Sequence, residues 1–330
     1  LADDACGAIR IEPLAADPPQ IDRAALPAAV PELQEPRFHG VIDRRLETLS
    51  YSRLFGGNVH APVADHDEIE RVDGVVIDAG KPADAAFAIP PWPRGAAFGN
   101  CVHEILERVP FAALAAPNID ADLARIARDH RYDAAETRII AAMARATVSA
   151  PLPGASSSFT LAGLARGDVL SELEFLFPLP GSRLAALDAI LAGAPPHARA
   201  PGELARRRHE VAGLMTGFID LVLRHDGFYY VVDYKTNLLG TTPADYAPAR
   251  LAAAVRMHDY DLQYLIYLVA LQRFLRARLG GDYAYDTHVG GALYLFVRGL
   301  GSGEDHGIHA DRPPRALIDA IDAWCAGGGP

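Results

Sequence analysis

The chain has 330 residues, 50% of them hydrophobic, enough for one large domain or two smaller ones. It contains no uncharged apolar run long enough to span a bilayer, so no membrane segment is expected and a cytoplasmic location fits. A formal net charge of −11 and a pI near 5.5 lack the basic footprint of a free-standing DNA binder; such a chain either does not act on DNA or acts on DNA that a partner delivers.

The chain opens on Leu1-Ala2-Asp3-Asp4, without Met or a basic run, which argues against a signal peptide and for a piece of a longer polypeptide. Residues 1–45 are rich in Ala and Pro and read as a linker, leaving 46–330 as the domain. Residues 62–78 are acidic and irregular and predict a loop. Asn100 is the expected N-cap of a helix in which Val102, Ile105, Leu106 and Val109 recur at helical spacing. His103 and Glu107 lie four apart on that helix and share a face. A lone His beside an apolar face is more often structural, but His is also a common metal ligand. Residues 119–150 are Ala-rich and helical, so a helical part runs from about 96 to 150. Pro151 to Ser158 breaks it.

A catalytic core is expected from about 168 to 300. It starts with a strand, Ser171 to Phe177, whose acids Glu172 and Glu174 alternate; two acids on one strand face normally point to water. An Ala-rich helix near 183–192 ends at Pro195-Pro196 and Pro201-Gly202. Runs 217–224 and 228–236 are rich in Ile, Val, Phe, Tyr and Leu and flank Asp226-Gly227, a strong hairpin signal. A two-residue turn there places Asp220 directly across from Asp233. Cross-strand Cβ atoms are about 4.5–5.5 Å apart, and like charges so placed repel unless a cation sits between them. Strand alternation puts Lys235 on the same face as Asp233. Two Asp and a Lys around one point suit a metal-dependent phosphodiesterase; the plainer alternative is a solvated hairpin face.

Beyond the hairpin, an amphipathic helix at about 259–279 carries Gln263 and Tyr267 on one face. A strand at about 290–297 and a helix at about 314–325 follow. Strands interleaved with helices indicate an α/β fold with a mixed β-sheet flanked by helices. Two basic clusters, Arg206-Arg207-Arg208-His209 and Arg273, Arg276 and Arg278, are candidates for DNA contact or ordinary solvated faces. Cys6, Cys101 and Cys325 are too scattered for a structural zinc or an iron–sulfur cluster, and so few cysteines suit a reducing cytosol.

Taken in order, Gly99-x-x-x-His103-x-x-x-Glu107, Glu172, Gly217-x-x-Asp220, Asp233-x-Lys235 and Gln263-x-x-x-Tyr267 resemble the PD-(D/E)xK nucleases of the RecB type. Pro93-Arg94-Gly95, Tyr229 to Asn237, Tyr260 to Tyr264, Tyr294 to Gly299 and Pro313 to Ile318 add to the likeness, which covers roughly 50–325. Ser50-Tyr51-Ser52-Arg53-Leu54 resembles its start, with Arg53 where a small polar residue is expected. Residues 55–92 and 111–165 match only loosely.

The resemblance implies a restriction-endonuclease-like core and Mg²⁺-dependent hydrolysis of DNA phosphodiesters, as the nuclease domain of a helicase–nuclease in double-strand-break repair and DNA end degradation. It implies that His103, Asp220, Asp233 and the backbone carbonyl of Tyr234 bind Mg²⁺, for which Mn²⁺ or Ca²⁺ can substitute. By the same likeness Lys235 orients water or stabilises transition-state charge, and Glu172 holds a water or a second metal. Glu107 orients the His103 helix or the groups behind the ligands, and Gln263 and Tyr267 position strand backbone. The implied partners are DNA, single-stranded foremost, RecC-like and RecD-like subunits and, as a further partner, the RecA recombinase. ATP would serve only the helicase portion, and the four cysteines of the iron–sulfur class are missing. Two rival readings stand beside this one: a docking or DNA-guiding module that helps load a recombinase, and a hydrolase of small phosphate esters.

Overall fold

The computed structural model describes residues 47–51, 54, 89, 93–303 and 305–327. All lie in the second of the two units into which the chain divides, Arg44–Pro330. The linker expected at 1–45, the loop expected at 62–78, Arg53 and Cys6 fall outside the described residues.

Six strands form one mixed sheet: β1 (Glu47–Leu49), β2 (Val169–Arg183), β3 (Glu210–His225), β4 (Phe228–Lys235), β5 (Val289–Phe296) and β6 (Ile308–Asp311). Their order is β1-β3-β4-β5-β6, with β2 paired along β3. β1 runs parallel to β3 and β4 parallel to β5, while the remaining pairs are antiparallel. The central strands are buried on both faces, which is why β4 and β5 read as near-continuous apolar runs rather than as alternating ones.

Four helices cover one face: α1 (Ala96–Arg108), α2 (Phe111–Ala115), α3 (Ala121–Asp129) and α4 (Ala134–Ser149). They enclose Leu221, Leu223, Val232, Leu293 and Leu295 of the sheet. Asp120 caps α3 by accepting from the N–H groups of Asp122 and Leu123, and Asp133 with Glu136 closes a capping box on α4. The opposite face carries α5 (Leu184–Ala192), α6 (Glu203–Arg207), α7 (Pro248–Met257), α8 (Tyr260–Leu279), α9 (Tyr285–His288) and α10 (Arg315–Cys325). There α8 packs on Met215, Ile219, Val222, Val231, Ala292 and Phe296. The two faces follow from strand alternation: Leu221 and Val232 point one way, Val222 and Val231 the other. The α/β fold with a mixed sheet flanked by helices is thus the observed one. No helix among the described residues is long and apolar enough to cross a membrane.

Three sequence expectations change. The N-cap of α1 is Gly95, not Asn100; at φ 84° Gly95 lets the helix begin a full turn earlier, and Asn100 lies inside it. Helix α8 is not amphipathic, because every residue from Tyr260 to Gln272 is buried, Gln263 and Tyr267 included. A helix apolar on all sides belongs inside a core. Most arginines of the basic clusters have polar partners within the chain. Arg207 pairs with Asp259, Arg208 with Glu47 at 3.1 Å, and Arg206 donates to the Pro201 carbonyl. Arg273 and Arg276 both pair with Asp322 at 2.7 Å. Arg207, Arg208, Arg273 and Arg276 thus each have a carboxylate partner within the chain.

Candidate functional site

The site is built on the β3–β4 hairpin. Asp226 (φ 50°) and Gly227 (φ 84°) make a turn with two left-handed residues, the type that matches strand twist. It sets the expected register, His225 opposite Phe228 through Leu221 opposite Val232. There the ladder ends, one pair short of the expected Asp220–Asp233 juxtaposition. Asp220 instead turns its carboxylate toward β4, where Oδ2 accepts the Tyr234 N–H at 2.9 Å. Asp220, Asp233 and Lys235 are 8%, 3% and 3% exposed. The solvated-face alternative therefore does not hold.

Helix α1 brings His103 to the same point, with Nδ1 3.3 Å from Asp220 Oδ2 and its ring edge-on to Tyr234. Gly99, one turn earlier, allows this approach: a Cβ there would stand 3.3 Å from Thr236 Oγ1. Arg298 ties the parts together. Its Nε donates to the Thr236 carbonyl at 2.8 Å, another guanidinium N–H bonds the Pro93 carbonyl, and Cζ lies 4.4 Å from the Phe98 ring centroid. The start of α1 is thereby fixed to the end of β4.

Glu172 enters from β2. Pairing between β2 and β3 passes from Ser171–Leu221 to Leu173–Ile219, and Glu172 between them has φ 51°. A left-handed non-glycine residue is strained and is held only by its surroundings. Burial, then the negative charges of Asp220 and Glu107, push the Glu172 carboxyl up to about 7. At Asp220 burial acts upward too, but His103, the Tyr234 N–H and Lys235 outweigh it and hold the carboxyl below its usual range. Glu107 is exposed at the rim and Glu174 points to solvent.

Lys235 Nζ is 2.8 Å from Asp233 Oδ2 and sits over two aromatic faces, 4.0 Å from the Tyr260 centroid and 5.4 Å from that of Tyr294. Gln263 receives a hydrogen bond from Tyr294 Oη at 3.0 Å and donates one to Tyr267 Oη at 3.0 Å. Gln263 thus braces a side chain of β5 beside Lys235 rather than strand backbone. Tyr260 and Tyr294 are the site residues that sequence reasoning missed. Each stands within a quoted motif, but an aromatic in an apolar run reads as core.

Among the described residues, no three His, Cys, Asp or Glu side chains close on one point as a finished metal cage. The candidate ligands stand in two ion pairs, Asp220 with His103 and Asp233 with the Lys235 ammonium, which is not itself a ligand. Their chemistry suits a hard divalent cation: carboxylate oxygens, one imidazole and a peptide carbonyl. Burial lifts Glu172 first, and the negative charges of Asp220 and Glu107 add to it; that added charge is what a cation relieves.

The PD-(D/E)XK nuclease superfamily matches residues 68–326 of this chain. The RecBCD enzyme subunit RecB of Mycobacterium tuberculosis (strain ATCC 25618 / H37Rv) is 36% identical over 333 aligned residues, covering 89% of this chain and 30% of that protein. The same subunit of Escherichia coli K12 is 34% identical, covering 72% of this chain and 20% of that protein. That of Haemophilus influenzae is 30% identical, covering 83% and 22%. The chain thus spans about a third or less of the length of these relatives.

Proposed function

The chain belongs to the PD-(D/E)XK nuclease superfamily, and from that premise we propose that it hydrolyses DNA phosphodiesters with Mg²⁺, as the nuclease domain of a RecB-type helicase–nuclease that processes broken DNA ends. The observation that carries this reading is the burial of Asp220, Asp233 and Lys235 at the open end of one hairpin, with His103 and Glu172 brought in from α1 and β2. A buried cluster of this composition has little structural value unless something binds it.

In this reading Asp220, Asp233, His103 and the Tyr234 carbonyl hold the cation, which when bound supplies charge neutralisation at the phosphate and a more acidic water. Because a residue's N–H and C=O leave an extended strand on the same edge, the Tyr234 carbonyl faces the side on which Asp220 takes its N–H. Asp220 stays ionised throughout, its burial outweighed by His103 and Lys235. Lys235 donates from Nζ to a phosphoryl oxygen as negative charge builds there, an electrostatic contribution made in a dry site. Glu172, whose carboxyl is raised in the metal-free chain by burial and then by Asp220 and Glu107, would be returned toward its ionised form by the cation and would hold the attacking water beside it. The acidic chain leaves the gripping of single-stranded DNA to RecC-like and RecD-like partners.

The test is incubation with end-labelled linear and with circular single-stranded DNA, in Mg²⁺ or in chelator. Cutting of both that requires Mg²⁺ supports an autonomous nuclease whose end dependence comes from elsewhere. A folded, metal-binding chain that cuts neither, alone or with its partner subunits, would overturn the assignment.

A further inference from the structure

Lys235 carries a positive charge into a place that is 3% exposed, and more than Asp233 determines where that charge sits. An ammonium out of water is costly, and the face of an aromatic ring is one of the few apolar surfaces that attracts it. The Tyr260 ring presents that face at 4.0 Å. The apparatus behind this one ring is extensive. Tyr260 is the first residue of α8 and follows Asp259, a non-glycine residue at φ 56°. The Asp259 carboxylate pairs with Arg199 at 3.2 Å, with Arg256 at 3.7 Å and with Arg207. Its backbone carbonyl accepts from Tyr51 Oη at 2.6 Å. The ring itself is stacked on His258, and its hydroxyl donates to Asn237 Oδ1 at 3.2 Å. Strained backbone persists where the surroundings over-determine it, and here what they determine is the position of the ring.

We propose that Tyr260 is a positioning residue for the nuclease reaction: its face, held by the arginine-clamped Asp259, fixes the Lys235 ammonium beside Asp233 and aims it at the scissile phosphate. The inference rests on the function proposed above. A lysine held by Asp233 alone would follow that carboxylate, whereas one held also by a ring keeps its place when Asp233 turns to another cation.

Two readouts test it on the full chain. The sequence has two lysines, Lys81 and Lys235, so lysine-selective isotope labelling gives two side-chain signals, told apart by Lys81→Arg. In metal-free protein the Lys235 signal is displaced by ring current. Tyr260→Leu should move it most of the way back to the position of an ordinary lysine, and Tyr260→Phe should leave it displaced. In Mg²⁺-dependent cleavage of single-stranded DNA, Tyr260→Leu should lower kcat about tenfold or more, as expected for a contact of this kind, with KM for DNA within about twofold. Tyr260→Phe, which keeps the face and loses the hydroxyl, should recover most of the rate. If Tyr260→Leu does not fold, Asp259→Asn serves, since Asn tolerates left-handed backbone but lacks the charge that the arginines hold; it should shift the Lys235 signal and kcat in the same direction, by less. An unmoved Lys235 signal or an unchanged kcat in the folded variants overturns the inference. Equal damage from Phe and Leu also overturns it, because the Asn237 contact and not the ring face would then matter. A displaced lysine in a wild-type protein that never cleaves DNA would count against the proposed function and leave the lysine–ring contact standing.

Discussion

Replacing Asp233 with Ala separates the stability of the site from its chemistry. At 2.8 Å the Asp233–Lys235 attraction is about 6 kcal/mol gross at an effective dielectric near 20. Much of that offsets the cost of taking two charges out of water. The substitution therefore does not cost the gross attraction; it costs a Lys235 ammonium that has lost its 2.8 Å carboxylate but keeps the attraction of Asp220, at most about 3–5 kcal/mol by analogy with other broken buried pairs. The rings of Tyr260 and Tyr294 remain and soften the loss, so the lower half of that range is expected. The control is Asp233→Ala combined with Lys235→Met, which removes both charges and keeps the volume of the lysine stem. Thermal unfolding in chelator should show the single variant melting lower by on the order of 6–10 °C, and the double variant recovering more than half of that. Both should be folded at 25 °C and neither should cleave DNA. If single and double melt together, losing the Asp233 carboxylate does not burden the ammonium and the reasoning about the buried pair is wrong. Retained cleavage by the folded single variant would remove Asp233 from the site.

Lys235→Ala should lower single-turnover cleavage by about 10²–10³-fold while Mg²⁺ affinity changes little; a metal titration showing the reverse would recast Lys235 as part of the cation site. In chelator Glu172, its folded pKa raised to about 7 from an unfolded value near 4.5, keeps a proton that the unfolded chain has lost. The contribution of Glu172 to native stability should therefore decline as pH rises from about 4.5 to about 7 and level off above, and Glu172→Gln should remove that contribution from the slope of pH-resolved melts; an unchanged slope refutes the raised value. Gly217→Ala should destabilise the domain by about 1–3 kcal/mol, because its Cβ would lie 2.7 Å from the Phe175 ring across the β2–β3 pair. Phe175→Leu should relieve it in denaturant titrations, and an unaltered midpoint for Gly217→Ala alone would show that the ring moves freely.

Much of this site could be read from the chain because local chemistry decides it. Asp226-Gly227 fixes the turn, the turn fixes the register, and the register puts Asp233 and Lys235 on one face. His103 is similarly legible, since its place on α1 follows from apolar spacing that survives a wrong N-cap. What escaped depends on the neighbours a residue meets in space. Helix α8 reads as amphipathic in sequence because Gln263 and its tyrosines are polar on paper, but the tips of Gln263, Tyr264 and Tyr267 find partners inside the fold. The arginine clusters suggested nucleic acid because their carboxylate partners lie far away in sequence, Asp259 for Arg207 and Asp322 for Arg273. No pattern of residue types announces that Glu172 is left-handed or that an aromatic ring holds Lys235.

The irregularities of the sheet converge on Asp220. On one side the β3–β4 ladder stops at Leu221–Val232, just before Asp220 would pair. On the other, the β2–β3 ladder passes over Glu172 and resumes in the same register at Leu173–Ile219, so the interruption again falls at Asp220. A carboxylate at an ordinary ladder position would point away from the sheet plane and leave the neighbouring peptide groups to bond one another. With the ladders open on both sides, Asp220 can reach into the plane and take the Tyr234 N–H, which sets that peptide toward the site. The helix-borne His103 then closes from above and the strained Glu172 from the far side. The strand pairing lost here, a few hydrogen bonds each worth about 1 kcal/mol net, is small against the core on both faces of the sheet. That core lets the sheet tolerate interrupted pairing on both sides of Asp220.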